Sequence, residues 1–112
     1  EWEDLAYRQY TPDFVLPNGI IIETKGLFTV ADRRKHLCIQ QQHPKLDIRF
    51  VFTSSRRKLQ KGSKTTYGMW CEKNNLKYHD RIIPEDWLKE RKKKPHPVFI
   101  KFTGKKIIRR YT

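Results

Sequence analysis

Two short apolar runs, Phe14-Val15-Leu16 and Ile20-Ile21-Ile22, are separated only by Pro17-Asn18-Gly19, which is the signal of a tight β-hairpin. The turn type decides which side chains share a face. A two-residue Asn18-Gly19 turn would pair position 17 with 20 and hence 14 with 23, leaving Asp13 on the opposite face from Glu23. A three-residue loop suits these residues better, with Pro17 and Asn18 at the centre of a type I turn and Gly19 in the left-handed conformation. Position 16 then pairs with 20 and 13 with 23, so Asp13 and Glu23 face each other across the hairpin. Lys25 joins that face because side chains along a strand alternate with period two.

The rest of the chain alternates helix and strand. Residues 31–43 read as a helix, with Asp32 near its N-terminus, a narrow apolar stripe at Leu37, Cys38 and Ile39, and Pro44 as its stop. Ile48-Arg49-Phe50-Val51-Phe52-Thr53 reads as a strand with Ile48, Phe50 and Phe52 on one side. Residues 54–64 are polar and basic and contain Gly62, so they read as a loop. Thr66 to Lys73 predicts a short helix ending near Asn74 and Asn75, and Ile82 to Leu88 another, with Pro84 suited to a first helical turn. A helix between a hairpin and a later strand implies an α/β fold, a mixed β-sheet flanked by helices. At 112 residues the chain has room for one core.

Charge narrows the partner. The formal net charge is +13, from 25 Lys and Arg against 12 Asp and Glu, which points to a polyanion. No stretch has the apolar length of a membrane-spanning helix, and there is no lipidation signal, so nucleic acid leads and a membrane is set aside. The distribution is uneven. Residues 1–30 hold five acids (Glu1, Glu3, Asp4, Asp13 and Glu23) against the two bases Arg8 and Lys25. An acidic patch in a basic protein would repel DNA phosphates unless a cation sat between them. From Lys89 onward ten bases face Glu90 alone, and composition divides the chain into a core over 1–92 and a basic C-terminal tail over 93–112. Within that tail Val98-Phe99-Ile100 and Ile107-Ile108 could add β structure, and a mobile basic arm is the other reading.

Pro12-Asp13, nine residues, then Glu23-Thr24-Lys25 fits the pattern PD…(D/E)xK. Two carboxylates across a hairpin can chelate Mg²⁺ through hard oxygens, leaving sites for water and a phosphate oxygen. A lysine on the same face can orient the attacking water and offset charge in the transition state. Asp13, Glu23 and Lys25 are thus candidate catalytic residues for metal-dependent phosphodiester hydrolysis, with Asp13 and Glu23 as metal ligands. The plainer alternative is an exposed hairpin bearing a surface ion pair, on a non-catalytic basic module that binds structured nucleic acid.

A longer resemblance then appears. Tyr10-Thr11-Pro12-Asp13-Phe14, Leu16-Pro17-Asn18-Gly19-Ile20 and Glu23-Thr24-Lys25-Gly26-Leu27 resemble the endonuclease I family of bacteriophage T7, Holliday-junction resolvases within the PD-(D/E)xK superfamily. Similarity continues through Gln42-His43-Pro44, Leu46-Asp47-Ile48-Arg49, Lys61-Gly62-Ser63 and Cys71-Glu72-Lys73 to about residue 90. The resemblance implies a restriction-endonuclease-like core and a Mg²⁺-dependent enzyme, with Mn²⁺ as a substitute, that acts as a homodimer on four-way and branched DNA. It assigns Asp13 and Glu23 as metal ligands, Lys25 as the catalytic lysine and the Thr24 carbonyl as a further ligand. It also implies the host-cell cytoplasm as the place of action. A restriction or mismatch-type nuclease shares the short pattern without the wider similarity. Two departures stand out. The family's further catalytic glutamate lies on an N-terminal helix that reaches the partner's active site in a domain-swapped dimer, and neither Glu1, Glu3 nor Asp4 matches it. The chain starts at Glu1 rather than Met and so reads as a fragment or processed form, expected to cleave junctions weakly or not at all, and the segment Leu5 to Gln9 looks shorter than the family's bridge between dimer halves.

Arg33, Arg34 and Lys35 on the first helix, and Arg56, Arg57, Lys58, Lys61 and Lys64 in the basic loop, are the expected DNA-binding residues. Their plainer reading is a solvated face. His36 and His43 have no paired ligand spacing and read as structural, and Trp70 and Trp87 read as core residues. Cys38 and Cys71 lack any CxxC spacing and read as reduced, at least half-buried thiols.

Overall fold

The hairpin forms in the three-residue register. In the computed structural model, which describes residues 7–91 and 100–103, the Gly19 amide donates to the Leu16 carbonyl at 2.8 Å and the Leu16 amide to the Ile20 carbonyl at 2.8 Å. Gly19 has φ 92°, the left-handed conformation that only glycine adopts at no steric cost. Strands β2 (Phe14–Val15) and β3 (Ile21–Lys25) pair antiparallel with Phe14 opposite Ile22 and Val15 opposite Ile21, which sets Asp13 opposite Glu23.

Helix α1 (Val30–Gln42) follows β3. Thr29 caps it: its hydroxyl accepts from the Asp32 amide and the Asp32 carboxylate accepts from the Thr29 amide, a reciprocal capping box. The helix delivers the chain to β4 (Ile48–Phe52), which pairs parallel with β3, and helix α2 (Tyr67–Lys73) precedes β5 (Lys77–Asp80), parallel to β4. The sheet order is β2-β3-β4-β5, mixed and flanked by helices as an α/β fold requires. Gly68 lets α2 lie close to β5, since a Cβ there would sit 2.8 Å from the Tyr78 ring.

Both faces of the sheet are covered. Ile21, Ile48, Phe50 and Phe52 pack with Phe28, Ile39, Tyr67 and Cys71, while Ile20, Ile22, Val51 and Leu16 pack with Trp87 of the short helix α3 (Glu85–Leu88). Each buried Phe or Ile contributes about 1.5–3 kcal/mol, so Ile48, Phe50 and Phe52 make β4, buried at all five positions, the strand that anchors the fold. The Asn18 side-chain Nδ2 ties the hairpin turn to α3, donating to the carbonyls of Trp87 at 2.7 Å and Glu90 at 3.2 Å.

A second sheet pairs β1 (Tyr7–Tyr10) with β6 (Ile100–Thr103), antiparallel. Tyr10, Ile100 and Phe102 are buried in the larger core. The part of the basic tail over 100–103 is therefore a core strand rather than an arm, because Ile100 and Phe102 alternate with the exposed Lys101. Glu1, Trp2, Glu3, Asp4, Val98, Phe99, Ile107 and Ile108 lie outside the described residues. Cys38 and Cys71 are buried free thiols.

Candidate metal centre and nucleic-acid surface

Lys25, Phe52 and Asp80 end the parallel strands β3, β4 and β5 on one rung, and Asp13 and Glu23 lie beside that end on the hairpin. The carboxyl ends of strands in an open α/β sheet are where ligands usually bind. Here Asp13 and Glu23 are interlocked. The Asp13 amide donates to Glu23 Oε2 at 3.1 Å, and Asp13 Oδ2 in turn accepts from the Thr24 amide at 3.1 Å and the Thr24 hydroxyl at 3.4 Å. The turn register thus fixes two acids against each other through the backbone.

Glu23 is 3% exposed. Its Oε2 also accepts from the Tyr10 hydroxyl at 2.6 Å. Burial pushes the Glu23 carboxyl above its ordinary pKa even though the Tyr10 hydroxyl, the Asp13 amide and the Lys25 charge pull the other way. Burial and the Glu23 charge together push the Tyr10 phenol far up, so Tyr10 stays protonated and donates its hydrogen bond to Glu23. Lys25 places its ammonium 3.4 Å from Asp32 Oδ1, and burial of Asp32 is outweighed by its bonds to Thr29 and Lys25, which hold it below its ordinary value.

This donor set suits a hard divalent cation. Among the described residues no donor reaches Glu23 Oε1 or Asp13 Oδ1, two hard oxygens on the linked acids. Two protein carboxylates leave most of an octahedral shell for water and phosphate, and no cluster of three or more His, Cys, Asp or Glu occurs among the described residues.

The expected DNA-binding residues divide. Arg34 on α1 and Arg56, Arg57, Lys58, Lys61 and Lys64 in the loop are exposed. Arg33 is not: its guanidinium donates to the Phe28 carbonyl at 2.6 Å with the residue only 9% exposed, so it fastens the β3–α1 turn instead of facing solvent. Lys35 is half-buried with its ammonium 5.7 Å from the centre of the Tyr10 ring. His36 is a core residue wedged edge-on between Tyr10 and Phe50, and His43 is tied to the Lys101 carbonyl at 2.6 Å. Trp87 is core, and Trp70 packs edge-on against Phe28.

Sequence reasoning missed Tyr10 and the second task of Asp32. Tyr10 carries no local signal, because it reaches Glu23 from a strand whose partner lies some ninety positions away. The Thr29-x-x-Asp32 capping pattern was legible, and it places a carboxylate within reach of the last residue of β3.

Known proteins bear on the same segment. The chain is 63% identical over 84 residues to the endonuclease I of Escherichia phage T7, covering 75% of this chain and 56% of that protein. It is 57% identical over 101 residues to the endodeoxyribonuclease 1 of Enterobacteria phage T3, covering 90% of this chain and 65% of that protein. This chain thus spans little more than half to about two thirds of those relatives. The family model for phage endonuclease I matches residues 4–106, a span that contains the hairpin, Tyr10, both sheets and the basic loop, and the chain belongs to that family.

Proposed function

We propose that the chain is the core of a metal-dependent, structure-selective DNA endonuclease that hydrolyses phosphodiester bonds in four-way (Holliday) and branched DNA. The observation that carries this is Glu23, a buried carboxylate bonded only to neutral donors and interlocked with Asp13, on a protein of net charge +13. Such a pair gains most from a bound cation. Asp13, Glu23 and the Thr24 carbonyl would hold Mg²⁺, or Mn²⁺ in its place. When bound, the ion supplies Lewis-acid stabilisation of phosphate charge and a more acidic water.

The protein groups have distinct tasks. Tyr10 and the Asp13 amide fix the Glu23 carboxylate, the Thr24 amide fixes Asp13, and Lys25 presents its ammonium beside them to orient water and offset charge on the phosphate. Asp32 holds the Lys25 ammonium in place until a phosphate competes for it. Arg34 and the loop bases supply phosphate contacts around this centre, and the names of the relatives, an endonuclease and an endodeoxyribonuclease, agree with the chemistry. Action as a homodimer in the host-cell cytoplasm belongs to the same proposal.

The test is Asp13→Ala. Mg²⁺-dependent cleavage of a four-way junction should vanish, and the heat of Mg²⁺ binding with it, while junction affinity holds or improves because a negative charge has left the DNA-facing surface. Undiminished cleavage would sink the assignment, and a parent chain that binds junctions yet shows neither cutting nor any heat of Mg²⁺ binding would make this a binding module.

A further inference from the structure

Arg81 is the first residue after β5 and has φ 67°. A non-glycine residue in the left-handed region is strained, and the other described example, Asn75 at φ 59°, is a residue type that tolerates it. Arginine has no such excuse. Its backbone is pinned in place, with the Arg81 amide donating to the Phe52 carbonyl at 2.8 Å and the Ile82 amide to the Asp80 carbonyl at 2.7 Å. Glycine or asparagine would serve that backbone better, so the side chain is where a use must be sought.

Its surroundings suggest one. Arg81 lines a groove of about 350 Å³ with Thr24, Lys25, Gly26, Phe52 and Thr53. The register puts Lys25 and Asp80 on either side of Phe52, so the Cα atoms of Lys25 and Asp80 are roughly 10 Å apart, two strand spacings. Lys25 already has Asp32 as a partner. Asp80, the acid next to Arg81, is turned away: Oδ1 accepts from the Ser55 amide at 2.9 Å and Oδ2 from the Ser55 hydroxyl at 3.2 Å. Among the described residues the Arg81 guanidinium has no ion pair and no hydrogen bond, and the residue is exposed. The Ser55 anchor also brings the start of the basic loop, with exposed Arg56 and Arg57, to the end of β5. The cation at this lip of the groove is therefore uncommitted and continuous with further positive charge.

We propose that Arg81 binds a backbone phosphate of the DNA, next to the phosphodiester presented to Asp13, Glu23 and Lys25. This rests on the nuclease assignment above. A guanidinium fork matches two phosphate oxygens at once, which a lysine cannot do. The strained backbone aims that fork along the groove, and Lys25 and Arg81 hold successive stretches of one strand.

The experiment compares the parent with Arg81→Gly and Arg81→Lys. Junction binding is followed by fluorescence anisotropy over a range of salt without Mg²⁺, cleavage with Mg²⁺, and folding by thermal melting. Arg81→Gly relieves the backbone, so it should melt no lower than the parent. It should nevertheless bind more weakly, with the slope of log affinity against log salt reduced by about one. Arg81→Lys should keep the parental slope, recover part of the affinity, and raise KM more than it lowers kcat. A glycine variant with the parental salt slope and cleavage rate overturns the proposal. So does one whose binding loss only tracks a lower melting temperature. A parent that shows neither Mg²⁺-dependent cutting nor any heat of Mg²⁺ binding ends the nuclease assignment instead, a distinct result, and a parent that binds no DNA ends both.

Discussion

Arg49 on β4 and Glu23 on β3 are 1% and 3% exposed, yet their charges are met in opposite ways. Arg49 donates from Nε and Nη2 to the two oxygens of Asp47 at 2.8 Å each, and from Nη1 and Nη2 to those of Glu90 at 2.6 and 2.8 Å. Its guanidinium also lies 5.2 Å from the centre of the Trp87 ring. Burial alone would favour the neutral form, but Glu90 and Asp47 outweigh it and hold Arg49 firmly charged. Glu23 receives neutral donors only, and there burial wins. A buried charge that the fold has completed is a clamp, whereas one that it has left short of counter-charge is a site.

Glu23→Gln should break this comparison most visibly. Cleavage is expected to fall by about 10³-fold or more and the heat of Mg²⁺ binding to disappear, while resistance to urea rises because an uncompensated charge has left the interior. If the variant is less stable than the parent, Glu23 is a structural acceptor for Tyr10 and the contrast with Arg49 fails. Arg49→Ala should do the reverse. It removes the guanidinium that Asp47 and Glu90 share and loosens the segment after α3 from β4, so urea denaturation should show a loss of about 3–5 kcal/mol. The two carboxylates are 26% and 29% exposed, so water can take over part of their solvation and the loss belongs at the low end of that range. A loss under about 1 kcal/mol would mean that the clamp is solvent-screened and no more than a surface pair.

How much of this was legible depended on how local the cause is. The hairpin register follows from Pro17, Asn18 and Gly19 alone, and with it the meeting of Asp13 and Glu23. Helix α1 ends where Pro44 says it must, and β4 shows its alternation. Strands β1 and β5, Tyr-Arg-Gln-Tyr and Lys-Tyr-His-Asp, have too few apolar residues to announce themselves and exist because partners elsewhere hold them. Arg33 looked like one more base in a basic run, and only the position of the Phe28 carbonyl turns it inward. Arg49 gave no sign of burial either, since Asp47 lies beside it in sequence but Glu90 comes from beyond α3.

His36 is a third way of meeting burial, because it gives up its charge. Neither ring nitrogen has a hydrogen-bond partner, and burial, helped by the charges of Lys35 and Lys25, lowers its pKa from 6.5 to about 3. In that window the unfolded chain binds a proton that the folded chain refuses, so stability is full above about pH 6.5 and falls as the pH drops toward 3. The slope from this group should reach about 1.4 kcal/mol per pH unit. His36→Leu should remove it and cost little at neutral pH, since it deletes two unsatisfied polar atoms from between two rings. Urea midpoints between pH 4 and 7 decide the matter: an unchanged acid slope in the variant would place the loss elsewhere.

Tyr10 joins these environments, since its ring packs on His36 while its hydroxyl holds Glu23. Tyr10→Phe keeps the ring and removes a single hydrogen bond, so the fold should lose only about 1 kcal/mol. That bond is made to an acid whose other donor is the Asp13 amide, and without it Glu23 keeps its burial but loses a group that fixes its oxygens. Mg²⁺ affinity by calorimetry should therefore weaken by about 10-fold, as expected when a ligand's supporting hydrogen bond is removed. Junction affinity without metal should stay at the parental value, because Tyr10 is buried and faces no phosphate. The comparison sharpens if metal affinity alone moves. If metal affinity is unchanged and stability falls by several kcal/mol, the hydroxyl serves the core rather than the site, and Glu23 is closer to Arg49 in kind than its missing counter-charge suggests.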